Sequence, residues 1–322
     1  MTNLTASTTE ETLIERSAGL EIERGSFAPD VNTGRVKSRI VITTYNIRYA
    51  AGSFLITGSL LRRAGFSRPR RRPALVGRNV LQAARAFSEG ALMPPADIIA
   101  LQEADRHTVR AGERHVAREL ARALKMNYLR AAMPTPETEP PKGKQWYLDF
   151  EERIGVGERG DTGVAVLSRW PLRDASRVEL PWAECAWRPR LALAASVSLG
   201  TKQLRIFNSH IDPHGSLAEQ MAQHRAVLER AERAEGVGPV VLLGDFNTLA
   251  RASRVATREL LESHGYTSPL PTGVGTWRAG LLRLHTDWIF VRGARVLRWG
   301  VARPLGASDH WPVWAEIELE EN

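Results

Sequence analysis

The sequence predicts an α/β protein of the α+β kind, in which two mixed sheets pack together and carry helices on their outer sides. Three observations lead there. Apolar, β-branched runs of strand length alternate with segments of helical period. Hairpin-like pairs of runs interrupt the alternation, which excludes one purely parallel sheet. Five of the runs or the turns beside them end on Asn, Glu, Asp or His: Thr44-Tyr45-Asn46, Leu101-Gln102-Glu103, Asn208-Ser209-His210, Gly244-Asp245-Phe246-Asn247 and Ser308-Asp309-His310.

Taken in order, residues 1–37 show no sustained period and read as a flexible N-terminal tail or loosely docked arm, with the folded domain over 38–320. Arg39 to Tyr45 is a β-branched strand. Ala74 to Gly90 reads as a helix, because Leu75, Val80, Leu81, Ala84 and Phe87 recur near helical spacing. Asp97 to Gln102 is a buried strand, and Glu113 to Leu124 a second helix. Residues 135–161 form a long irregular segment rich in Pro, Gly and charge. Beyond it, Gly163 to Leu167 is a strand, Arg190 to Leu199 and Lys202 to Asn208 a pair turning at Gly200, and Ser216 to Ala234 a helix. Val240 to Leu243 runs into Gly244-Asp245. A helix near Ser253 to His264 precedes strands at His285 to Val291, Val296 to Val301 and Val313 to Leu319. No short solenoid repeat is present.

Composition narrows the class. A chain of 322 residues with 43% hydrophobic and 25% charged residues falls among ordinary soluble domains. The formal net charge of +8 favours polyanionic partners, although charge bears on association rather than fold. A single Cys185 excludes an internal disulfide framework and a thiolate metal cluster, and reads as a buried bystander thiol. The polar start, Met1 to Glu23, lacks the pattern of a secretory peptide, and no run has the apolar length of a membrane span. A cytoplasmic monomer is expected.

The strand ends carry the chemistry. Hard oxygen ligands with two imidazoles suit a Mg²⁺-dependent phosphoester hydrolase. Each residue also has a plain reading: Asn46 can cap a turn, Glu103 can sit at a solvated strand end, and a lone His210 is more often structural. Asp245 and Asn247, two apart on an extended segment, would point to one side. So many acids in one cleft repel unless a cation offsets them, and oxygen donors suit Mg²⁺ or Mn²⁺ better than zinc.

Together with Gly163 to Arg169 and Thr286-Asp287-Trp288-Ile289-Phe290, these segments resemble, in order, the motifs of the endonuclease/exonuclease/phosphatase superfamily. That group includes deoxyribonuclease I, exonuclease III, neutral sphingomyelinases and inositol polyphosphate 5-phosphatases. The resemblance runs from about Arg39 to Glu318. It implies a four-layer α/β/β/α sandwich, deoxyribonuclease I-like. It also implies Asn46, Glu103 and Asp309 as metal-site residues, Glu103 foremost and Asn46 through its amide oxygen. Asp245 would orient or deprotonate the attacking water, and Asn247 would bond phosphate or nucleophile. Asp287 would orient His310, keeping it an imidazolium against the phosphoryl oxygens. His210 would bond the phosphate and assist the leaving group. Its partner stays open: Pro189 and Arg190 stand where deoxyribonuclease-like members have a carboxylate, and Asp212 is nearby. Arg190 would touch substrate phosphate.

Substrate choice is less legible. His210 departs from the exonuclease III pattern of Tyr and Asn and so disfavours an abasic-site repair enzyme. The cluster Arg62, Arg63, Arg68, Arg70, Arg71 and Arg72, preceded by Phe54 to Leu61, follows Asn46 closely in sequence. It reads either as a solvated basic loop, as a phosphate-backbone clamp in which Arg70, Arg71 and Arg72 bind substrate, or as a membrane-surface element. Trp146, Tyr147, Trp182, Trp187 and Trp277 are stacking platforms or rim packing. The leading expectation is a Mg²⁺-dependent phosphodiesterase acting on DNA or RNA. The alternatives are a sphingomyelinase-like or other lipid or small-molecule phosphoesterase at a membrane surface, and a catalytically silent binding module.

Overall fold

A computed structural model describes residues 14–17, 20–29, 38–53, 71–133, 154, 157–182, 189–200, 202–233 and 238–319. Cys185, Arg62, Arg63, Arg68, Arg70, Trp146, Tyr147, Trp187 and most of 135–161 lie outside the described residues. The strands in chain order are β1 (Ile14–Ser17), β2 (Leu20–Ser26), β3 (Arg39–Asn46), β4 (Ile98–Gln102), β5 (Asn127–Ala132), β6 (Gly163–Ser168), β7 (Leu172–Glu179) and β8 (Leu191–Leu199). They continue as β9 (Lys202–His210), β10 (Val240–Asp245), β11 (Trp277–Ala279), β12 (Leu282–Leu284), β13 (Asp287–Arg292), β14 (Arg295–Val301) and β15 (Val313–Glu318). The helices are α1 (Arg72–Ser88), α2 (Val116–Leu124), α3 (Leu217–Glu232) and α4 (Arg251–Ser263).

Strand alternation builds the layers. The large sheet runs β1-β2-β5-β6-β4-β3-β15-β14, and the small one β13-β10-β9-β8-β7. Ile40, Ile42, Ile98, Ala100, Val164 and Val166 on one face of the large sheet meet Leu191, Leu193, Ile206, Val241, Leu243 and Ile289 of the small sheet. Their neighbours one residue along, Val41, Tyr45, Ile99, Leu101, Ala165 and Leu167, point the other way onto Val76, Val80, Phe87, Val116 and Leu120 of α1 and α2. On the far side, Ala192, Ala194, Phe207, Val240, Leu242, Trp288 and Phe290 meet Val227, Leu228 and Leu261 of α3 and α4. Three apolar seams between four layers give the α/β/β/α sandwich expected, with both sheets mixed.

Two expectations need correction. Residues 20–26 do not belong to a loose arm: β2 pairs antiparallel with β5, placing Ile22 opposite Ala131. The charged look of this strand hides its burial. Glu23 is buried because Tyr128 Oη donates to it at 2.6 Å and His115 Nε2 lies 2.8 Å away. The second helix begins at Val116 rather than Glu113, where φ is +59°. His115 caps it, accepting at Nδ1 from the Arg118 N–H at 3.2 Å. The third helix starts as its sequence suggests, because Ser216 and Glu219 form a capping box.

Candidate active site

Strand registers assemble the site. In the small sheet Asp245 lies opposite Asp287 of antiparallel β13 and opposite His210 of parallel β9. In the large sheet Asn46 lies opposite Gln102, so Glu103 leaves β4 at the same level. Gly244 makes the β9–β10 approach possible. Its φ is +148°, and a Cβ there would stand 1.9 Å from the Ser209 carbonyl oxygen.

Asp245 is the centre of the cluster. Its Oδ2 accepts from Asn46 Nδ2 at 2.9 Å and lies 3.7 Å from His210 Nε2 and 3.8 Å from His310 Nε2. Its Oδ1 accepts the Asn247 N–H at 3.0 Å. Asn247 therefore sits beside Asp245 because the chain turns, with φ +50° at Asn247, and not because the segment is extended. Its side-chain amide donates to the Ile211 carbonyl at 2.8 Å. Asp287 holds His310, with its two oxygens 2.9 and 3.1 Å from Nδ1. Asp287 in turn is fixed by Thr286 Oγ1 at 2.8 Å, while its backbone N–H donates to Thr276 Oγ1 at 3.0 Å.

This arrangement sets the protonation states. Burial pushes the Asp245 carboxyl up and the Asp287 charge pushes it further, to about 7, against the pull of the His310 imidazolium, Asn46 and Asn247. Burial opposes charge on His310, yet the facing Asp287 and Asp245 carboxylates raise it to about 10. The imidazolium is thus the stable form near neutrality. Two other buried histidines, His224 at about 3 and His285 at about 4, are held neutral by burial and serve packing.

Asn46 and Glu103 come from the other sheet, and Asp309 from the loop before β15. Asn46 Nδ2 also reaches Glu103 Oε1 at 3.3 Å, so one amide bridges carboxylates from both sheets. Its oxygen accepts from the Arg48 N–H at 3.0 Å, and its nitrogen faces the acids. Asp309 Oδ2 takes the Trp277 indole N–H at 3.0 Å and lies 3.3 Å from Arg48 Nη1. Ser308 Oγ ties this loop to the Asn46 carbonyl at 2.8 Å. Backbone strain concentrates here. Arg48, Tyr49, Ala50 and Glu103 have φ of +45°, +42°, +56° and +51°, conformations that side chains with a Cβ rarely adopt.

The remaining predicted residues divide. Arg190 is buried against His210, its Nη1 lying 3.3 Å from Nδ1, and its Nε is 3.5 Å from Asp212 Oδ2. A guanidinium thus stands where a carboxylate was sought as the partner of His210. Asp212 does not join the acid cluster. It caps the following turn, accepting the His214 and Gly215 N–H groups at 2.8 and 3.1 Å. Arg71 is exposed beside the start of α1, and Arg72 Nε donates to the Arg110 carbonyl at 2.7 Å, which anchors the helix. Trp277 donates its indole N–H to Asp309, and Trp182 is exposed. Sequence reasoning missed Asn208, Arg48 and Thr276. Asn208 is fully buried. It accepts from Gln102 Nε2 at 2.7 Å and donates to the Leu101 and Ala165 carbonyls at 2.9 and 2.8 Å, bolting one sheet to the other. An amide inside an apolar strand was the available signal.

The donor set fits a hard divalent cation. Glu103 and Asp245 set carboxylate oxygens 3.3 and 2.9 Å from one small group, the Asn46 amide nitrogen, and that amide carries an oxygen of its own. A second acidic group, Asp245, Asp287 and His310, has ligand atoms within 4.8 Å of one another. There the imidazolium already supplies the counter-charge, so it reads as an ion-paired chain.

Comparison with known proteins agrees with this geometry. The family model described as "Endonuclease/Exonuclease/phosphatase family" matches residues 43–310. No curated protein matches the chain in sequence. Among solved structures, the endonuclease/exonuclease/phosphatase from Bacteroides vulgatus superposes with a TM-score of 0.58 at 18% identity, covering 88% of this chain and 100% of that one. ANGEL2, a 2′,3′-cyclic phosphatase solved with adenosine-2′,3′-vanadate, gives 0.55 at 17% identity over 88% and 96%. A mannosyl-6-phosphatase of Bacteroides thetaiotaomicron VPI-5482 gives 0.56 at 16% identity over 86% and 99%. With the strand-end motifs, the sandwich and the matched model all in agreement, the chain belongs to the endonuclease/exonuclease/phosphatase family.

Proposed function

We propose that the protein is a metal-dependent phosphoester hydrolase, a phosphodiesterase with nucleic acid as its first substrate. The single observation that carries the reading is the chain Asp287–His310–Asp245 abutting Asn46 and Glu103. His310, oriented by Asp287, presents a cationic Nε2–H to a phosphoryl oxygen and offsets charge that builds there. Asp245, raised toward neutrality by burial and Asp287, accepts the proton of the attacking water near its working pH. The Asn247 N–H holds Asp245 Oδ1 and leaves Oδ2 on the cleft side. His210, flanked by the Arg190 guanidinium, faces the same oxygens and donates toward the departing one.

Glu103, Asn46 and Asp309 would hold Mg²⁺ or Mn²⁺, which when bound polarises the phosphoryl group and lowers the pKa of water. The excess of basic residues supports a polyanionic substrate. Two structural neighbours, by their descriptions a cyclic phosphatase and a sugar-6-phosphatase, act on different phosphate esters, so similarity of fold leaves the substrate class to chemistry.

The test is hydrolysis of bis(p-nitrophenyl) phosphate with Mg²⁺. Asp245→Ala and His310→Ala are each expected to abolish it while leaving far-UV circular dichroism unchanged. Full activity in either variant defeats the mechanism.

A further inference from the structure

We propose that Arg278, Arg283 and Arg303 form a phosphate-binding subsite beside the catalytic cleft, taking a second phosphate of the substrate next to the one cleaved. The inference rests on the phosphoesterase reading above and deepens it, by assigning substrates with two neighbouring phosphates.

The three guanidiniums gather on one indole. Their carbons lie 5.4, 5.8 and 4.6 Å from the ring centroid of Trp311, the residue after His310. The β11–β12 hairpin brings two of them there. Trp277 bridges to His310, the Arg278 N–H donates to the Asp309 carbonyl at 3.0 Å, and the Trp311 N–H donates to the Thr276 carbonyl at 2.7 Å. The hairpin thus runs directly along the loop that carries His310.

Within the hairpin, Arg278 and Arg283 are directly opposed cross-strand partners. Like charges so placed are unfavourable without a counter-ion. Among the described residues none of the three arginines pairs with a carboxylate. Other surface arginines do: Arg39 and Arg295 pair with Glu318, Arg298 with Glu316 and Arg258 with Glu262. The Gly275 carbonyl anchors the Arg303 guanidinium, and burial together with the Arg283 charge lowers its proton affinity. Trp311 itself is buried, and its indole N–H has no acceptor among the described residues.

An uncompensated trio of forked donors suits phosphate, which guanidinium recognises in bidentate fashion. It also answers a problem of the cleft. Glu103, Asp245, Asp287 and Asp309 repel an approaching polyanion, and three cations beside His310 offset that repulsion.

The experiment uses the full chain and the triple variant Arg278→Ala/Arg283→Ala/Arg303→Ala, checked for an unchanged melting transition. If the triple variant melts early, the single Arg283→Ala, at an exposed position, replaces it. Pyrophosphate binding is measured by calorimetry, without turnover. Hydrolysis is measured with bis(p-nitrophenyl) phosphate, a 5′-phosphorylated oligothymidylate and fructose 1,6-bisphosphate. The variant is expected to bind pyrophosphate about tenfold more weakly. It should raise KM by about that factor for the oligonucleotide or the sugar bisphosphate, with kcat nearly unchanged. Hydrolysis of bis(p-nitrophenyl) phosphate should not change. A rise for the oligonucleotide alone identifies a neighbouring nucleotide as the source of the second phosphate. A rise for the sugar alone identifies a small bisphosphate. Undiminished pyrophosphate binding overturns the subsite, as does an equal loss on all three substrates. If the wild-type chain hydrolyses none of them, the enzymatic reading falls, and pyrophosphate calorimetry still decides the subsite.

Discussion

Truncating Asn208 tests whether the two sheets are held in register by one buried amide. In Asn208→Ala the Leu101 and Ala165 carbonyls each lose one donor, while Gln102 Nε2 loses its acceptor at 2.7 Å but keeps Thr44 Oγ1 at 3.1 Å. Both carbonyls keep the β4–β6 ladder, in which Leu101 faces Ala165, and Gln102 keeps one partner, so the change removes three buried hydrogen bonds and fully orphans no group. At about 1 kcal/mol for each of the three hydrogen bonds, the expected loss is about 3 kcal/mol, with the small cavity adding to it. Urea unfolding followed by circular dichroism reads this as a lower midpoint at unchanged slope. Asn208→Asp should be worse, because it turns a carboxylate oxygen toward both carbonyls. Activity should fall in parallel, since Asn208 and Gln102 are two and one residues from His210 and Glu103. A loss under about 1 kcal/mol with unchanged slope would refute the clamp.

Other perturbations probe separate parts of the molecule. In Asp287→Asn the histidine keeps its burial but loses its principal counter-charge, so NMR titration should find His310 far below the value of about 10 in the parent; an unmoved titration would contradict the pairing. Glu23, against its burial, is held at about 2 rather than 4.5 by His115, Tyr128 and Arg130. A depressed carboxyl contributes stability that is complete above its unfolded value and fades as pH falls from about 4.5 toward 2. Glu23→Gln should therefore flatten the acid limb of the stability profile, and an unchanged limb would disprove its part. His115, whose own proton affinity is lowered by burial, accepts the Arg118 N–H at Nδ1 and turns Nε2 to Glu23. Gly244→Ala should cost about 3 kcal/mol or more, from a left-handed φ and the clash with Ser209; a near-neutral thermal shift would show that β10 can move away.

Much of this molecule is readable from its residues in order. The alternation in Ile40 to Ile42, Ile98 to Leu101 and Leu191 to Val197 encodes a pleat buried on both faces, and both faces are indeed covered. Asn46, Glu103, His210, Asp245 and Asp309–His310 announce themselves because polar groups rarely follow apolar strands without cause. The strand β2 escaped notice because Glu23 looks like a solvent residue until Tyr128 and His115, about a hundred positions away, are seen around it. The strand β7, with its half-exposed pattern, and the short hairpin β11–β12 escaped for want of apolar contrast.

By itself, then, the order of amino acids determined the elements and the chemical kinds at their ends, because pleat, helical period and turn preference are local properties. The tertiary structure alone decided the pairings. Asp245 meets Asp287 and His210 through strand register, the Arg190 guanidinium lies against Nδ1 of His210, and Asn46 turns its nitrogen toward the carboxylates. Such choices depend on which distant segments share a sheet edge, and no local pattern carries that information, because each strand offers the same backbone donors and acceptors to any neighbour.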